Sequence, residues 1–352
     1  MPLIDIDRLR ISPDDSVRDA VIVIDQSGHQ IALVLDGHNR LLGVITDGDV
    51  RRGILRGVSL EAPAKEIMNA SPVVARTADS PEGFPARMEG LAIRHLPVAD
   101  ENGAIVGLFV DTESAPPMGV STPVVLMAGG RGQRLYPLTK DVPKPMLPIG
   151  DVPLLEIILR NLAAQGFVNV HISVNYLADV IMDHVGDGRE LGLNVKYLHE
   201  GKPLGTAGAL AQLDGVVAEP FVVMNSDLLT QVNLRRLLTF HQKQKAMATV
   251  GVREYVFEVP FGVVNLDGTR VESMVEKPRH RSLVNAGIYT VDPSSLALLE
   301  QDTYCDMPSL LDRMMQKGQL VSAFPIHEQW LDVGRPEDLS QARDDSERWT
   351  TS

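Results

Sequence analysis

The stretch PVVLMAGGRGQRLYPLTKDVPKP, residues 123–145, decides the fold of the larger part of this chain. It begins with a short apolar run, which predicts a buried strand, and continues into a glycine-rich loop, GGRGQRL (129–135). Glycines let a backbone approach a ligand closely and point amide groups at phosphate oxygens. The loop lacks the Gly-Lys-Ser/Thr ending of a Walker A loop and the G-x-G-x-x-G spacing of dinucleotide-binding proteins. The stretch therefore predicts a phosphate-binding turn at the end of a strand.

Apolar runs and helical patterns alternate beyond this loop. LLEIILRNLAAQGF (154–167) and NLRRLLTFHQKQ (233–244) have apolar residues at helical spacing. The runs that predict strands are VHISVNY (170–176), FVVMNSD (221–227) and ATVGV (248–252). This alternation predicts an α/β fold with a largely parallel sheet covered on both faces. Ligands bind at the carboxyl ends of such strands, so we expect the glycine loop and Asp227 to meet in one cleft.

The bulk composition excludes several classes of protein. The chain has 352 residues, which predicts about two domains, and a formal net charge of −13, which argues against a nucleic-acid partner. We expect no membrane span, because no run of about 18 apolar residues occurs, and the first residues lack signal-peptide features. Cys305 is the single cysteine, so no intrachain disulfide can form, which fits a cytoplasmic location. The nine histidines lack zinc-site spacing, and we expect no zinc.

A proline-rich segment, SAPPMGVSTP (114–123), separates two regions that are organised differently. Proline and glycine at this density disfavour both helix and sheet. We therefore predict a first domain at residues 1–115, a linker at 116–122 and a second domain at 123–348.

The first region contains an internal repeat. IALVLDGHNRLLGVITDGD (31–49) aligns with RHLPVADENGAIVGLFVDTE (94–113) at an offset of 64 residues. Each copy has an apolar strand, a polar turn, a second strand and the start of a helix, and two such short copies are expected to pack on each other. Over about 110 residues this region resembles a tandem pair of cystathionine-β-synthase (CBS) domains, which implies two βαββα units.

The segment GVITDGDVRRGIL (43–55) carries the strongest part of this resemblance. CBS domains often hold the ribose hydroxyls of adenine nucleotides with a Thr-x-x-Asp feature, so the resemblance implies a regulatory nucleotide at Thr46 and Asp49. The alternative is that Thr46 caps the helix and Asp49 stabilises its first turn. Val110 and Glu113 stand at the equivalent positions of the second copy, which is therefore expected to be degenerate. CBS pairs commonly stack, which implies a homo-oligomer.

The second region resembles the sugar-nucleotide pyrophosphorylases. Their signature is close to GGxGTRLxPLTxxxPKPMLPI, and this chain has GGRGQRLYPLTKDVPKPMLPI (129–149), with Gln133 in place of the usual threonine. Further matching segments are GDGRELGLNVKYLHE (186–200), KPLGTAGAL (202–210), VVMNSDLL (222–229), PFGVV (260–264), VEKP (275–278), VNAGIY (284–289) and WLDVGRPEDL (330–339). The match spans about 220 residues. It implies a Rossmann-like, GT-A-like nucleotidyltransferase domain with a mixed, mainly parallel sheet.

The resemblance also implies a reaction and a nucleotide side of the site. An NTP and a sugar 1-phosphate would give an NDP-sugar and pyrophosphate, by in-line attack on the α-phosphorus. Arg134 is expected to bind the triphosphate, Lys144 to neutralise charge near the α-phosphate, and Asp227 and Asp332 to bind Mg²⁺. The other expected nucleotide-binding residues are Gly129, Gly130, Gly132, Gly205 and Thr206.

The sugar side is expected to consist of four residues in three segments. Gly262 offers a backbone amide, Glu276 and Asn285 suit sugar hydroxyls, and Lys277 suits the sugar's phosphate and acts in catalysis. An alternative for the adjacent Glu276 and Lys277 is a surface salt bridge.

The base is harder to predict than the reaction. The segment KPLGTAGAL (202–210), preceded by Glu200, is most similar to the guanylyltransferases for mannose 1-phosphate. A CBS pair ahead of such a domain resembles guanylyltransferases for glucosamine 1-phosphate, so GTP is favoured over UTP and dTTP. A nucleotide-sensing regulator with an inactive transferase fold is the alternative from another functional class. Loss of Arg134, Lys144 or an acidic metal ligand would favour that alternative, and all are present.

Overall fold

The computed structural model describes residues 3–91, 93–110 and 120–350. The chain divides into two compact units, Met1–Pro116 and Pro117–Ser352. Residues 116–119 of the predicted linker and Glu113 of the second repeat copy lie outside the described residues.

The first unit contains two three-stranded sheets. Its strands are β1 (Arg10–Ile11), β2 (Ile31–Leu35), β3 (Leu41–Thr46), β4 (Ala75–Arg76), β5 (His95–Ala99) and β6 (Ile105–Val110). Its helices are α1 (Val17–Ser27), α2 (Asp47–Leu55) and α3 (Phe84–Leu91), with 3-10 turns at Ala64–Glu66 and Pro81–Gly83. In the first sheet β2 pairs in parallel with β1 and antiparallel with β3, and β5 pairs in the same way with β4 and β6. The repeat seen in the sequence is therefore also a repeat in the backbone.

The two copies agree in detail and pack on each other. A shift in strand register lies between Val34 and Leu35 in one copy and between Val98 and Ala99 in the other, which is the same sequence offset of 64 residues. Apolar side chains of both copies share one buried cluster. Each copy therefore provides part of a core that it shares with the other.

The second unit is built on a seven-stranded sheet. Its strands are β7 (Val124–Met127), β8 (Pro148–Ile149), β9 (Val152–Pro153), β10 (Asn169–Val174), β11 (Asn194–His199), β12 (Phe221–Asn225), β13 (Leu228–Thr230), β14 (Ala248–Glu258), β15 (Val263–Asp267), β16 (Arg270–Val275), β17 (Arg279–Val291), β18 (Val321–Ile326) and β19 (Trp330–Asp332). The order in the large sheet is β11-β10-β7-β12-β17-β14-β18. Only β17 of these seven runs against the others. The predicted mixed, mainly parallel sheet is therefore confirmed.

Helices cover both faces of this sheet. They are α4 (Leu154–Ala164), α5 (Ala178–Val185), α6 (Leu234–Gln244), α7 (Met307–Gln316), α8 (Pro336–Asp344) and α9 (Ser346–Thr350), with 3-10 turns at Gln133–Leu135, Lys144–Met146, Arg189–Leu191, Gly208–Leu213 and Pro293–Leu298. Side chains of β7 alternate between the two cores: Leu126 packs with α4 and α6, and Val125 packs with α7. This alternation fixes the register of a strand that is buried on both faces.

Strands β14 and β17 extend beyond the central sheet. Their outer parts pair with each other, and the two-stranded ribbon β15–β16 lies between them in the sequence. We call residues 253–284 the ribbon arm. Large apolar side chains there, such as Phe261 and Met274, are more than 70% exposed. In the part of the chain that the structure describes, no helix combines the length and the apolar character needed to cross a membrane.

Candidate active site

A cleft of about 580 Å³ opens at the carboxyl ends of β7 and β12. It brings together the nucleotide-side residues that the sequence predicts, with the exception of Asp332. Those that line it are Gly129, Gly130, Gly132, Arg134, Lys144, Gly205, Thr206 and Asp227. The parallel strands end at this edge, and residues far apart in sequence therefore meet here.

The glycine loop needs its glycines for packing as well as for a ligand. A Cβ atom at Gly129 would lie 2.6 Å from Oε1 of Glu200. Gly132 has a φ of +60°, and a Cβ there would lie 2.8 Å from the Thr139 side chain. In contrast, a Cβ at Gly130 would meet no atom within 4 Å. The loop is thus held on two sides and leaves open space at Gly130.

Lys144 and Asp227 form an ion pair at the floor of the cleft. The Lys144 ammonium donates a hydrogen bond to Oδ2 of Asp227. The lysine lies in the 3-10 turn Lys144–Met146 and its side chain is 10% exposed, while that of Asp227 is 21% exposed. Partial burial strengthens this attraction relative to a surface pair.

Strand pairing brings Asp332 to the same place. Strand β13 begins directly after Asp227 and runs antiparallel to β19, which ends at Asp332. The Val333 amide donates to the Asp227 carbonyl oxygen at 2.9 Å. Burial raises the pKa of Asp332, and the Asp227 carboxylate raises this pKa further, while Lys144 and Arg134 partly offset both effects. The two carboxyl groups are therefore close enough for the charge of Asp227 to disfavour ionisation of Asp332.

The oxygens of these two aspartates fit a divalent cation. Among the described residues, Oδ1 of Asp227 and Oδ1 of Asp332 are buried and have no hydrogen-bond partner. A buried carboxylate oxygen without a partner is costly, and hard cations such as Mg²⁺ bind carboxylate oxygens. Lys144 engages only the other oxygen of Asp227. The donor set is thus suited to the Mg²⁺ that the sequence predicts.

Arg134 lies against a residue that the sequence argument did not single out. A Cβ atom at Gly334 would lie 3.0 Å from Nη1 of Arg134. Gly334 also lines the cleft. The glycine in the segment that contains Asp332 therefore leaves room for the arginine.

The loop with Gly205 and Thr206 is fixed by a later segment of the chain. Gly205 has a φ of +76°, and a Cβ there would lie 2.6 Å from the Cys305 carbonyl oxygen. The Thr206 amide donates to Oδ1 of Asp306 at 3.2 Å, and Thr206 Oγ1 accepts from the Met307 amide at 2.9 Å. Cys305 itself is buried in the core. No sequence signal near residue 305 pointed to this support.

The sugar-side residues lie on the ribbon arm or at its base, and they do not line the cleft. Gly262 and Glu276 are close together, since a Cβ at Gly262 would lie 2.9 Å from Oε2 of Glu276. Lys277 follows with a φ of +45°. Asn285 donates to the Tyr289 hydroxyl at 2.8 Å and accepts from the Gly287 amide at 2.9 Å. The structure therefore places Gly262 next to Glu276, but none of the four predicted sugar-side residues lines the cleft. Their sugar-side roles stay predictions.

In the first unit, Thr46 and Asp49 form a helix cap. The Thr46 hydroxyl donates to Oδ2 of Asp49 at 2.6 Å, and the Thr46 amide donates to the same oxygen at 2.9 Å. Arg52 donates to Oδ1 of Asp49 at 2.6 Å. This is the capping arrangement given above as the alternative, and a nucleotide at these residues stays a prediction.

Two family profiles match the chain. That of the nucleotidyl transferases matches residues 123–348, and that of the CBS domain matches residues 5–56. The CBS resemblance is thereby confirmed for the first repeat copy. The second copy lies beyond the range matched by the CBS profile.

Curated relatives cover the same region. A mannose-1-phosphate guanyltransferase of Yarrowia lipolytica is 32% identical over 223 residues, which is 61% of this chain and 61% of that protein. The mannose-1-phosphate guanylyltransferase catalytic subunit beta of Drosophila melanogaster is 32% identical over 231 residues, or 64% of this chain and 62% of that protein. The chain therefore spans less than two thirds of the length of these relatives.

A solved structure shares the fold of the second unit. HddC from Yersinia pseudotuberculosis, complexed with GMP-PN, matches with a TM-score of 0.51 and 28% identity, over 64% of this chain and 99% of that one. The nucleotidyl transferase profile covers well over half of the residues of the chain. The motifs, the sheet and the profile agree, and the chain belongs to the nucleotidyl transferase family.

Proposed function

We propose that this protein transfers a nucleotidyl group from an NTP, with GTP favoured, to a sugar 1-phosphate such as that of glucosamine or mannose. The observation that carries the proposal is the cluster of Lys144, Asp227 and Asp332 beside the glycine loop. It combines one cation, two acids with unpartnered oxygens and open space for phosphates. This combination suits phosphoryl chemistry, in which positioning and charge stabilisation dominate.

In the proposed reaction a phosphate oxygen of the sugar 1-phosphate attacks the α-phosphorus of the NTP in line. The new O–P bond forms as the bond to the bridging oxygen breaks, and pyrophosphate leaves with that electron pair. Arg134 and the amides of the glycine loop bind the triphosphate, and Lys144 offsets charge at the α-phosphate. Asp227 and Asp332 would hold Mg²⁺, which when bound supplies positive charge beside the phosphates.

The sugar phosphate is assigned to the ribbon arm. Lys277 supplies the charge for its phosphate, Glu276 and Asn285 supply hydrogen bonds to hydroxyls, and Gly262 supplies a backbone amide. These residues do not line the nucleotide cleft. The proposal therefore requires the arm and the cleft to approach each other when both substrates are bound.

The choice of GTP rests on the relatives. The two curated relatives described above are guanylyltransferases by name, and HddC was solved with GMP-PN. UTP- or dTTP-dependent transfer is the alternative base choice. Base and sugar specificity are measured by testing each of five NTPs with each of several sugar 1-phosphates and recording the rate of pyrophosphate release. If the rate is highest with UTP or dTTP, the assignment of GTP is wrong.

The decisive variant is Asp227→Asn, which removes a negative charge from the proposed metal site. We expect pyrophosphate release to require Mg²⁺ and to fall at least 100-fold in this variant. Asp183→Asn is the matched control, because Asp183 is exposed on α5, away from the cleft. Equal rates with and without a divalent cation, or a fully active Asp227→Asn protein, would contradict the mechanism.

The first unit is assigned a nucleotide-sensing role, with Thr46 and Asp49 as its nucleotide contacts. AMP, ADP, ATP and GMP are tested for a change in thermal stability or in reaction rate. If none of them changes either quantity, the regulatory role is wrong. The proposal also includes a homo-oligomer and a cytoplasmic location. Light scattering tests the oligomeric state, and a monomer would contradict it.

A further inference from the structure

Two hydroxyl groups lie behind the glycine loop and have no part in the transfer chemistry described above. One belongs to Thr139, which is buried, and the other to Tyr176, which is half-buried. Neither residue is among those that line the cleft. An effect of either residue on the reaction must therefore act through the residues that it contacts.

Thr139 ties the glycine loop to its own later part. Its hydroxyl donates to the carbonyl oxygen of Gly132 at 3.0 Å, and the Leu135 amide donates to the same oxygen at 2.9 Å. Its methyl group packs against Gly132, where a Cβ atom would lie 2.8 Å from it and 3.0 Å from Cβ of Lys144. Gly132 is therefore enclosed between Thr139 and the lysine of the ion pair.

The contact with Thr139 also sets the direction of an amide group. The C=O and N–H groups of a planar trans peptide point in opposite directions. Because the carbonyl of Gly132 points to Thr139, the N–H of Gln133 points away from Thr139. Thr139 is buried, whereas Gln133 is exposed and lines the cleft. This hydrogen bond therefore orients one donor of the loop, on the residue that precedes Arg134.

Tyr176 ties the same turn to the sheet. Its hydroxyl lies 2.7 Å from the carbonyl oxygen of Lys140 and 3.3 Å from that of Thr139, and it donates to both. Tyr176 follows β10, and β10 pairs with β7, the strand that leads into the glycine loop. The chain thus leaves the sheet at β7 and is attached again at the end of the neighbouring strand.

We infer that Thr139 and Tyr176 are positioning residues for the triphosphate of the NTP. They fix the turn that presents the Gln133 amide and the Arg134 guanidinium to its phosphates. This inference rests on the proposed nucleotidyl transfer. A loop that is already fixed spends less of the binding free energy on its own ordering. Because the oriented donor is a backbone amide, glutamine at position 133 serves as well as the threonine of the signature.

The test compares two substitutions at Thr139. Thr139→Val removes the hydroxyl and keeps the shape, and the Leu135 amide still satisfies the Gly132 carbonyl, so the variant is expected to fold. We expect kcat/KM for the preferred NTP to fall about 10-fold, the size of one hydrogen bond, and KM for pyrophosphate in the reverse reaction to rise similarly. KM for the sugar 1-phosphate is expected to stay within about twofold. Thr139→Ser keeps the hydroxyl and is expected to stay within about threefold of the wild-type protein.

Tyr176→Phe removes only the second hydroxyl, and kcat/KM for the NTP is expected to fall about three- to fivefold. Tyr197→Phe is the matched control. The Tyr197 hydroxyl also donates to a backbone carbonyl, that of Gly186 at 2.7 Å, but Tyr197 does not line the cleft. Its variant is expected to lose a similar hydrogen bond and to keep the wild-type kinetic constants.

A purely structural role predicts a different result. Thr139→Val would then lower the Tm and leave the KM values for the NTP and for pyrophosphate unchanged, which overturns the inference. If Thr139→Val does not fold, Tyr176→Phe decides, and wild-type kinetic constants in that variant overturn the inference. A wild-type protein that releases no pyrophosphate with any NTP and sugar 1-phosphate rejects the proposed function itself. An active wild-type protein with an equally active Thr139→Val variant rejects the inference alone.

Discussion

The cleft beside the glycine loop and the ribbon arm contain the two halves of the proposed site. They differ in the contacts that fix their side chains in place. In the cleft, Asp227 follows β12, whose side chains are buried on both sheet faces, and it pairs with Lys144, which lies in a buried 3-10 turn. On the arm, Glu276 and Lys277 are exposed and directly follow the two-stranded ribbon β15–β16. A two-stranded hairpin has little core of its own. The comparison indicates that buried contacts hold the cleft in place, whereas the arm is held mainly by the pairing of its own strands.

The largest effect is expected from removing the cation of the cleft. Lys144→Met keeps roughly the length of the side chain but removes the cation that pairs with Asp227 beside Asp332. We expect kcat to fall about 100- to 1,000-fold, the size typical for one electrostatic stabiliser. The fall in kcat is measured from the rate of pyrophosphate release. Lys243→Met, an exposed lysine on α6, is the control, and an unchanged kcat in Lys144→Met would remove Lys144 from the mechanism.

A smaller effect is expected from the arm, and it concerns binding. Lys277→Met removes the proposed contact to the sugar's phosphate, and KM for the sugar 1-phosphate is expected to rise about 10-fold while KM for the NTP stays within twofold. Thermal stability is expected to stay unchanged, because Lys277 is exposed. Arg270→Met removes a charge from the same ribbon and serves as the control. A rise in KM for the NTP instead would show that arm and cleft are not separate binding surfaces.

The smallest effect concerns the stability of the metal-free cleft. Burial and the Asp227 carboxylate raise the pKa of Asp332, so the folded state holds that proton more tightly than the unfolded chain. The stability from this group is complete below its unfolded pKa and is lost as pH rises through its folded pKa. At neutral pH without Mg²⁺, Asp332→Asn is therefore expected to raise the Tm by about 2–4 °C.

Thermal melts with and without Mg²⁺ at several pH values measure this effect. The wild-type protein is expected to gain stability on adding Mg²⁺ and to lose that gain as the pH falls and Asp332 is protonated. Asp332→Asn is expected to show little gain at any pH. An equal gain in both proteins would place the metal elsewhere. Asp344→Asn, which removes an exposed carboxylate on α8, is the control.

Much of the fold could be predicted from local pattern. The helices at Leu154–Ala164 and Leu234–Gln244 lie within the predicted ranges, and Asn233 caps the second by accepting from the Arg236 amide. The resemblance implied a mixed sheet, but it did not predict that β17 is the strand that runs antiparallel or that β14 extends beyond the central sheet. A run of apolar residues does not state in which direction its strand runs, since parallel and antiparallel strands can bury similar side chains.

The sequence by itself determined the glycine-rich loop, the repeat in the first unit and the residue types of the proposed site. These features depend on neighbouring residues, whose spacing sets turns and periodicity. Only the tertiary structure decided that β13 and β19 bring Asp227 to Asp332, and that Glu200 lies beneath Gly129. Those contacts depend on strand order and pairing between distant segments. That order is set by the packing of the whole sheet, and no local pattern encodes it.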